Sequence, residues 1–153
     1  MDRILKSKYK IGEKISESYS QITYKGVTVD NEKPLIIKIF KRDFLNSVLT
    51  KKLKKDIIPL TKLDHPQIPK LLDGDYGWQG FYFVREFAEG KSLEEIKIPC
   101  NIDQVKNIGI SICEALSYAH SMKTVHGSLK ISNIFTIENN NVKITDFGIN
   151  SAV

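Results

Sequence analysis

Asn133 and Asp146 carry the two oxygen-bearing side chains of this chain best placed for metal chemistry. They flank two short apolar-alternating runs, 131–137 and 142–145, separated by Glu138-Asn139-Asn140-Asn141. Asn tolerates left-handed backbone, so the polar tetrapeptide reads as the turn of a β-hairpin. Pairing of the two runs would bring Asn133 and Asp146 to one end of a small sheet. An amide oxygen and a carboxylate held that way suit Mg²⁺ bound together with a phosphate chain. His126 and Lys130 lie just upstream, and Phe147-Gly148 follows directly. A second candidate is Lys38, the one charged residue inside the apolar run 35–40. A lysine within a buried strand needs an anion.

The elements that must position these groups are legible in outline. Residues 9–15, 22–29 and 35–40 read as three strands, with Asp30-Asn31-Glu32-Lys33-Pro34 as the second turn. Phe44, Val48, Leu49, Leu53, Ile57, Leu60 and Leu63 recur at roughly helical spacing over 43–64. Pro59 lacks a backbone donor and is expected to kink or end that helix near Ile58. Residues 68–72 and 81–87 read as strands, with 73–80 as the turn between them. Ser92-Leu93-Glu94-Glu95 has the pattern of a capping box opening a short helix. Pro99 and Asn101 then open a longer helix to about Met122, with Ile102, Val105, Ile108, Ile112, Leu116 and Ala119 in steps of three and four. Ile110, Cys113 and Ala115 broaden its apolar face.

Composition narrows the function classes. A chain of 153 residues, 41% hydrophobic and 27% charged, suits one soluble globular domain with a real core. No apolar run has the length of a membrane span, and the N-terminus has no signal-peptide core. Cys100 and Cys113 lack metal-type spacing and are expected as free thiols in a reducing cytoplasm. His65, His120 and His126 are scattered, so zinc is not expected. The net charge of +5 gathers around Lys51, Lys52, Lys54 and Lys55, with Lys41-Arg42 nearby. That cluster could meet nucleic acid or an anionic surface, but reads first as the solvated face of a basic helix.

The stretch His126-Gly127-Ser128-Leu129-Lys130-Ile131-Ser132-Asn133 resembles the protein-kinase catalytic loop H-R-D-L-K-x-x-N, and Asp146-Phe147-Gly148 resembles its metal-binding DFG motif. Leu63-Asp64-His65-Pro66-Gln67-Ile68 is similar to the family's L-x-H-P-N-I, and 82–93 is similar to its hinge. The resemblance, closest to bacterial Ser/Thr protein kinases, covers essentially the whole chain. It implies an α+β, kinase-like fold: a five-stranded antiparallel small lobe with one main helix over 1–87, then the first part of a helical large lobe over 88–153. It further implies that Lys38 holds nucleotide phosphates, that Asp56 stands where a helix Glu pairs with that lysine, and that backbone groups near Glu86 and Ala88 meet adenine. Asn133 and Asp146 would bind Mg²⁺ with the nucleotide.

The departures from the family are as informative as the matches. Ser128 stands where the catalytic Asp belongs and Gly127 where the Arg belongs, so no catalytic set is intact, although Lys130 remains. The glycine-rich loop aligns with Ser16-Glu17-Ser18-Tyr19-Ser20-Gln21, with all three glycines replaced. Glycine matters there because the backbone must approach phosphates with no Cβ in the way. An ordinary hairpin tip is the alternative reading. Asp56 is one methylene shorter than Glu, and could equally be an exposed Asp of a Lys-rich helix. Arg85 replaces an apolar gatekeeper, and is expected to compete with Lys38 for Asp56 and Asp146 or to point away. Thr23 and Ile36 would lie above adenine and Phe135 below it; Ile36 and Phe135 add volume there and, with Arg85, would block the pocket. Leu60, Leu71, His126 and Phe147 map to the stack that needs no nucleotide.

The expected function is a pseudokinase-like module that binds a protein partner or regulates a neighbouring domain. Its partner, or a second copy, would cover the helix 101–122, because a kinase would continue into further helices after DFG and the sequence stops at Val153. The alternatives are a degenerate ATP-dependent Ser/Thr phosphotransferase, or a nucleotide sensor without turnover. Nucleic-acid binding is a distant third.

Overall fold

The computed structural model describes residues 4–96, 101–137 and 141–148. The chain divides into two compact units: residues 1–57 with 71–87, and residues 58–70 with 88–153.

The first unit is a six-stranded antiparallel sheet in the order β1-β2-β3-β4-β6-β5. Its strands are β1 (Ile4–Leu5), β2 (Tyr9–Glu17), β3 (Gln21–Thr28), β4 (Pro34–Lys41), β5 (Leu71–Gly77) and β6 (Gly80–Glu86). Strict alternation along β4 and β6 sorts the side chains into two faces. Leu35, Ile37 and Ile39 face the core with Tyr82 and Val84, joined by Leu5, Tyr9, Ile11 and Tyr24. The opposite face carries Lys38, opposite Phe83 and Thr23, and Ile36, opposite Arg85 and Lys25.

The expected α+β architecture is present, with one strand more than the five expected. Ile4–Leu5 is too short to show an alternation, and it forms because residues 6–8 make a three-residue hairpin turn onto β2, with Lys8 N–H donating to Leu5 O at 3.0 Å. The first two turn residues have positive φ, 47° at Lys6 and 56° at Ser7. That geometry matches the twist of a tight hairpin but is costly for residues with a Cβ. Lys6 offsets the cost with contacts across the unit. Its ammonium lies 3.1 Å from both Asp73 and Asp75 on β5, at the other edge of the sheet. A Cβ on Gly77 of β5 would stand 3.7 Å from Leu5. The two edge strands therefore meet, and the apolar face is enclosed between them.

The turn expected at 73–80 is corrected by the same seam. Asp73, Gly74 and Asp75 are strand residues of β5, and only Trp78-Gln79 turn. Acidic residues and glycine read as a loop in sequence. Here the two carboxylates face the Lys6 ammonium, and Gly74 leaves room for Ile57.

The helix α1 runs Ser47–Leu60. It starts later than the periodicity suggests, because Arg42–Phe44 is a 3₁₀ turn and Asn46 caps the helix by accepting the Leu49 N–H at 2.8 Å. It ends two residues beyond Ile58, with Pro59 inside its last turn, where the missing donor costs little continuation. Leu53, Ile57 and Leu60 are buried, whereas Lys51, Lys52, Lys54 and Lys55 are exposed.

The second unit holds α2 (Ile102–Ser121) and a three-stranded sheet of β7 (Lys91–Ser92), β8 (Ile134–Thr136) and β9 (Val142–Ile144). Asn101 and Gln104 close a reciprocal capping box at the start of α2. The segment 58–70 is fastened to α2: His65 stacks on Tyr118 at 4.8 Å, the Tyr118 hydroxyl accepts the Asp64 N–H at 3.0 Å, and Gln67 donates to Glu114 at 3.1 Å. Of the capping box expected at 92–95 one bond forms, Ser92 N–H to the Glu95 carboxylate at 2.8 Å; the Ser92 hydroxyl donates to the same carboxylate at 2.7 Å and Glu95 N–H goes to Ser92 O. No helix follows among the described residues, because Ser92 is already committed to pairing with Phe135. Pro99, Cys100 and residues 138–140 of the expected turn lie outside the described residues.

Candidate functional site

The catalytic-loop segment and the strand pair β8–β9 are joined residue by residue in the second unit. Ile131–Asn133, expected as strand, forms a 3₁₀ turn in which Asn133 N–H donates to Lys130 O at 2.9 Å. The hairpin starts at Ile134, which pairs with Ile144. Thr145 N–H then donates to Asn133 O at 2.9 Å, so Asn133 and Asp146 stand at the same end of the hairpin. Both are buried.

His126 organises this end. It is 4% exposed and touches the β9 side three ways. Its Nε2 is 2.8 Å from Thr145 O, its ring packs 4.6 Å from that of Phe147, and its own carbonyl accepts the Gly148 N–H at 3.0 Å. The ring's Nδ1 accepts the Ser128 N–H at 3.3 Å. Donation through Nε2 and acceptance through Nδ1 fix the neutral tautomer. Burial lowers the pKa of His126, against the opposing pull of Thr145 O and Asp146.

Ser128 is thus held from both sides of its backbone. Its N–H goes to His126, and its carbonyl accepts Asn133 Nδ2 at 3.2 Å. Gly127 before it has φ +81°, where a side chain would be strained. With Nδ2 engaged, Asn133 presents Oδ1 as its remaining polar atom. Asp146 has φ +67°, a left-handed geometry that Asp tolerates better than most residues but at a cost of about 1–2 kcal/mol. One amide oxygen and one carboxylate are hard donors that fit Mg²⁺ but are too few to hold it alone. Among the described residues, no group of three or more His, Cys, Asp and Glu side chains could hold a metal ion. Lys130 is exposed, and Phe135 is half-buried in β8 opposite Lys143.

The remaining candidates belong mainly to the first unit. Lys38 is half-buried on β4. Ile36 and Arg85 are direct cross-strand neighbours. The Arg85 guanidinium turns along its own strand and donates to Glu86 O at 3.1 Å. The Glu86 carboxylate pairs with Lys33 at 3.3 Å. Asp56 is half-buried on α1. Ala88 is buried and belongs to the second unit.

The turn between β2 and β3, Ser18-Tyr19-Ser20, is tied down by its own residues. Ser18 N–H donates to Gln21 O at 2.8 Å, and Gln21 N–H donates to Ser18 Oγ at 3.2 Å. Lys41 reaches Glu17 at 2.7 Å and Ser18 O at 3.0 Å, and Lys14 reaches Glu17 at 2.9 Å. The hydrogen bonds of these two lysines hold the Glu17 carboxyl at a pKa of about 2. Tyr19 packs on Phe44 at 4.4 Å.

Two contributors were not legible as functional residues. Thr145 is 2% exposed and receives Asn133 and His126 through separate backbone atoms. Its only sequence signal is a polar residue ending an apolar strand just before Asp146. Lys41 reads as part of a basic cluster, and nothing in its spacing points to Glu17.

Comparison with known proteins agrees with this geometry. Residues 9–153 match the protein kinase domain family. The chain is 30% identical over 151 residues to a probable serine/threonine-protein kinase of Clostridium perfringens, covering 96% of this chain and 22% of that protein. It is 30% identical over 126 residues to the serine/threonine-protein kinase PrkC of Bacillus subtilis, covering 80% of this chain and 19% of that protein. A probable serine/threonine-protein kinase of Dictyostelium discoideum shares 29% over 148 residues, 94% of this chain and 16% of that protein. The chain therefore spans about a fifth of the length of these relatives. Among the described residues, no helix is long and apolar enough to cross a membrane.

Proposed function

The chain belongs to the protein kinase domain family, and from that premise we propose that it is a catalytically silent member, a cytoplasmic module that acts by binding a protein partner or a second copy of itself. The observation that carries the reading is Ser128. Its backbone is clamped between His126 and Asn133, and the side chain it offers is a hydroxyl. A hydroxyl has no pKa near neutrality to take the acceptor's proton, and losing a positioned general base costs roughly 10²–10⁴ in rate.

Three further features support silence. The β2–β3 turn has no glycine, and its Glu17 already occupies Lys41 and Lys14. Arg85 lies on the Glu86 carbonyl that adenine would need. Ile36, beside Arg85, and Phe135 differ from the residues that the kinase family prefers against adenine, and each adds volume at its position. For the partner surface the reading points to α2, whose Ile102, Val105 and Ile110 are 73%, 56% and 58% exposed.

A nucleotide-sensing reading without turnover keeps one specific support: Lys38, Asn133 and Asp146 retain the residue types that hold phosphates and Mg²⁺ in kinases. When bound, Mg²⁺ would neutralise phosphate charge, with Asn133 Oδ1 and Asp146 as its protein ligands. The test is phosphotransfer. The purified chain, given γ-labelled ATP, Mg²⁺ or Mn²⁺ and a general acceptor protein, is expected to transfer no label to itself or the acceptor. Labelling abolished by Asp146→Asn would overturn silence and select the active reading.

A further inference from the structure

In the first unit α1 is fastened to β5. Lys54 Nζ lies 3.2 Å from Asp75 Oδ1. Nearly one turn later, the Ile57 methyl occupies the space that a Cβ on Gly74 would need. Asp75 is oriented before Lys54 reaches it: Oδ1 also accepts the Tyr76 N–H at 2.8 Å, and Oδ2 takes Lys6 at 3.1 Å. A carboxylate already fixed by two partners costs less side-chain entropy to engage with a third.

We propose that Asp75 and Gly74 are positioning residues for α1, so that the edge strand β5, rather than a bond between Asp56 and Lys38, sets where the helix sits. Asp75 works through charge and Gly74 through the absence of a side chain. The helix is then held whether or not anything occupies the phosphate-binding face of the sheet. This placement is independent of phosphotransfer, and its test can fail without touching the reading of Ser128.

Hydrogen exchange of the full 153-residue chain reads it directly. Lys54→Met leaves the Lys6–Asp75 pair in place and is the cleanest variant. It is expected to speed exchange of the α1 amides about two- to five-fold, the size of one partly exposed ion pair. Asp75→Asn should do at least as much, and Lys54→Met added to Asp75→Asn should do no more. Gly74→Ala, which pushes the Ile57 methyl, should speed α1 exchange further. Asp56→Ala should leave α1 exchange within two-fold, and the amides of β3 and β4 should stay unchanged in Lys54→Met. The proposal is overturned if Asp56→Ala loosens α1 as much as Lys54→Met does. It is equally overturned if Lys54→Met speeds β3 and β4 by the same factor, because the pair would then support general stability rather than helix position.

Discussion

Lys6→Met cuts the seam that brings the two edges of the six-stranded sheet together. Lys6 makes two ion pairs of 3.1 Å, with side chains exposed by 41% for Lys6, 18% for Asp73 and 35% for Asp75. A partly exposed pair contributes about 0.2–1 kcal/mol, and the more buried Asp73 would be left with less compensation, so the variant should lose about 1–2 kcal/mol. For a chain of this size that corresponds to a melting temperature lower by roughly 3–6 °C. Met keeps the aliphatic stem, so packing is little changed. Two dependences separate charge from packing. The loss should shrink in 1 M salt, where the screening length falls to about 3 Å. It should also shrink in acid. Burial alone would raise the Asp75 pKa, but the Tyr76 N–H, Lys6 and Lys54 outweigh it and bring it from 3.8 to about 2. A folded-state pKa below the unfolded one stabilises above the unfolded value, and that contribution is lost as pH falls through the folded value. The gap between the parent and Lys6→Met should therefore be full at pH 6 and largely closed near pH 2. The assay is urea unfolding at both pH values and both salt levels. An unfolding free energy unchanged within about 0.3 kcal/mol at low salt and pH 6, or a loss indifferent to salt and acid, would refute the closing role of Lys6.

Other perturbations have defined outcomes. Asn133→Ala removes the bond to Ser128 O and should cost about 1–2 kcal/mol in urea unfolding. Ser7→Gly relieves a side chain at φ 56° and should stabilise the chain by roughly 0.5–1 kcal/mol, read as a higher urea midpoint. Burial keeps His126 neutral with a folded-state pKa below its unfolded value, so the unfolded chain binds more protons. Its contribution is complete above the unfolded pKa of about 6.5 and falls away below it, and His126→Gln should flatten that part of the stability–pH curve.

The parts of the fold that sequence made legible are those where side-chain period and burial agree. The apolar run 35–40 and the apolar-rich segment 81–87 placed β4 and β6, and the three- and four-residue steps of 102–119 placed α2. What was missed depends on partners distant in sequence. Asp73 and Asp75 read as a turn until Lys6, 67 residues from Asp73, supplies their charge partner. Ser92-Leu93-Glu94-Glu95 has a helix-start pattern of which only the Ser92 N–H to Glu95 bond forms, and pairing with Phe135 claims Ser92 for a strand. Asn46 caps α1 from a position that its apolar spacing does not mark. At the candidate site, residue types and order identified Asn133, Asp146 and His126. The role of Thr145 lies largely in its backbone atoms, which no side-chain pattern encodes, with its hydroxyl adding a 3.3 Å bond to Asn133 O.

The proposed catalytic silence is most directly tested by a thermal-shift titration of the purified chain with ATP, with and without Mg²⁺. Ligand at about a hundred times its dissociation constant stabilises by roughly 2.7 kcal/mol, a shift of several degrees. The account predicts no shift at millimolar ATP in either condition, which turns attention to what covers Ile102, Val105 and Ile110. A Mg²⁺-dependent rise that Asp146→Asn abolishes would contradict it, showing that Lys38, Asn133 and Asp146 still assemble a working phosphate site.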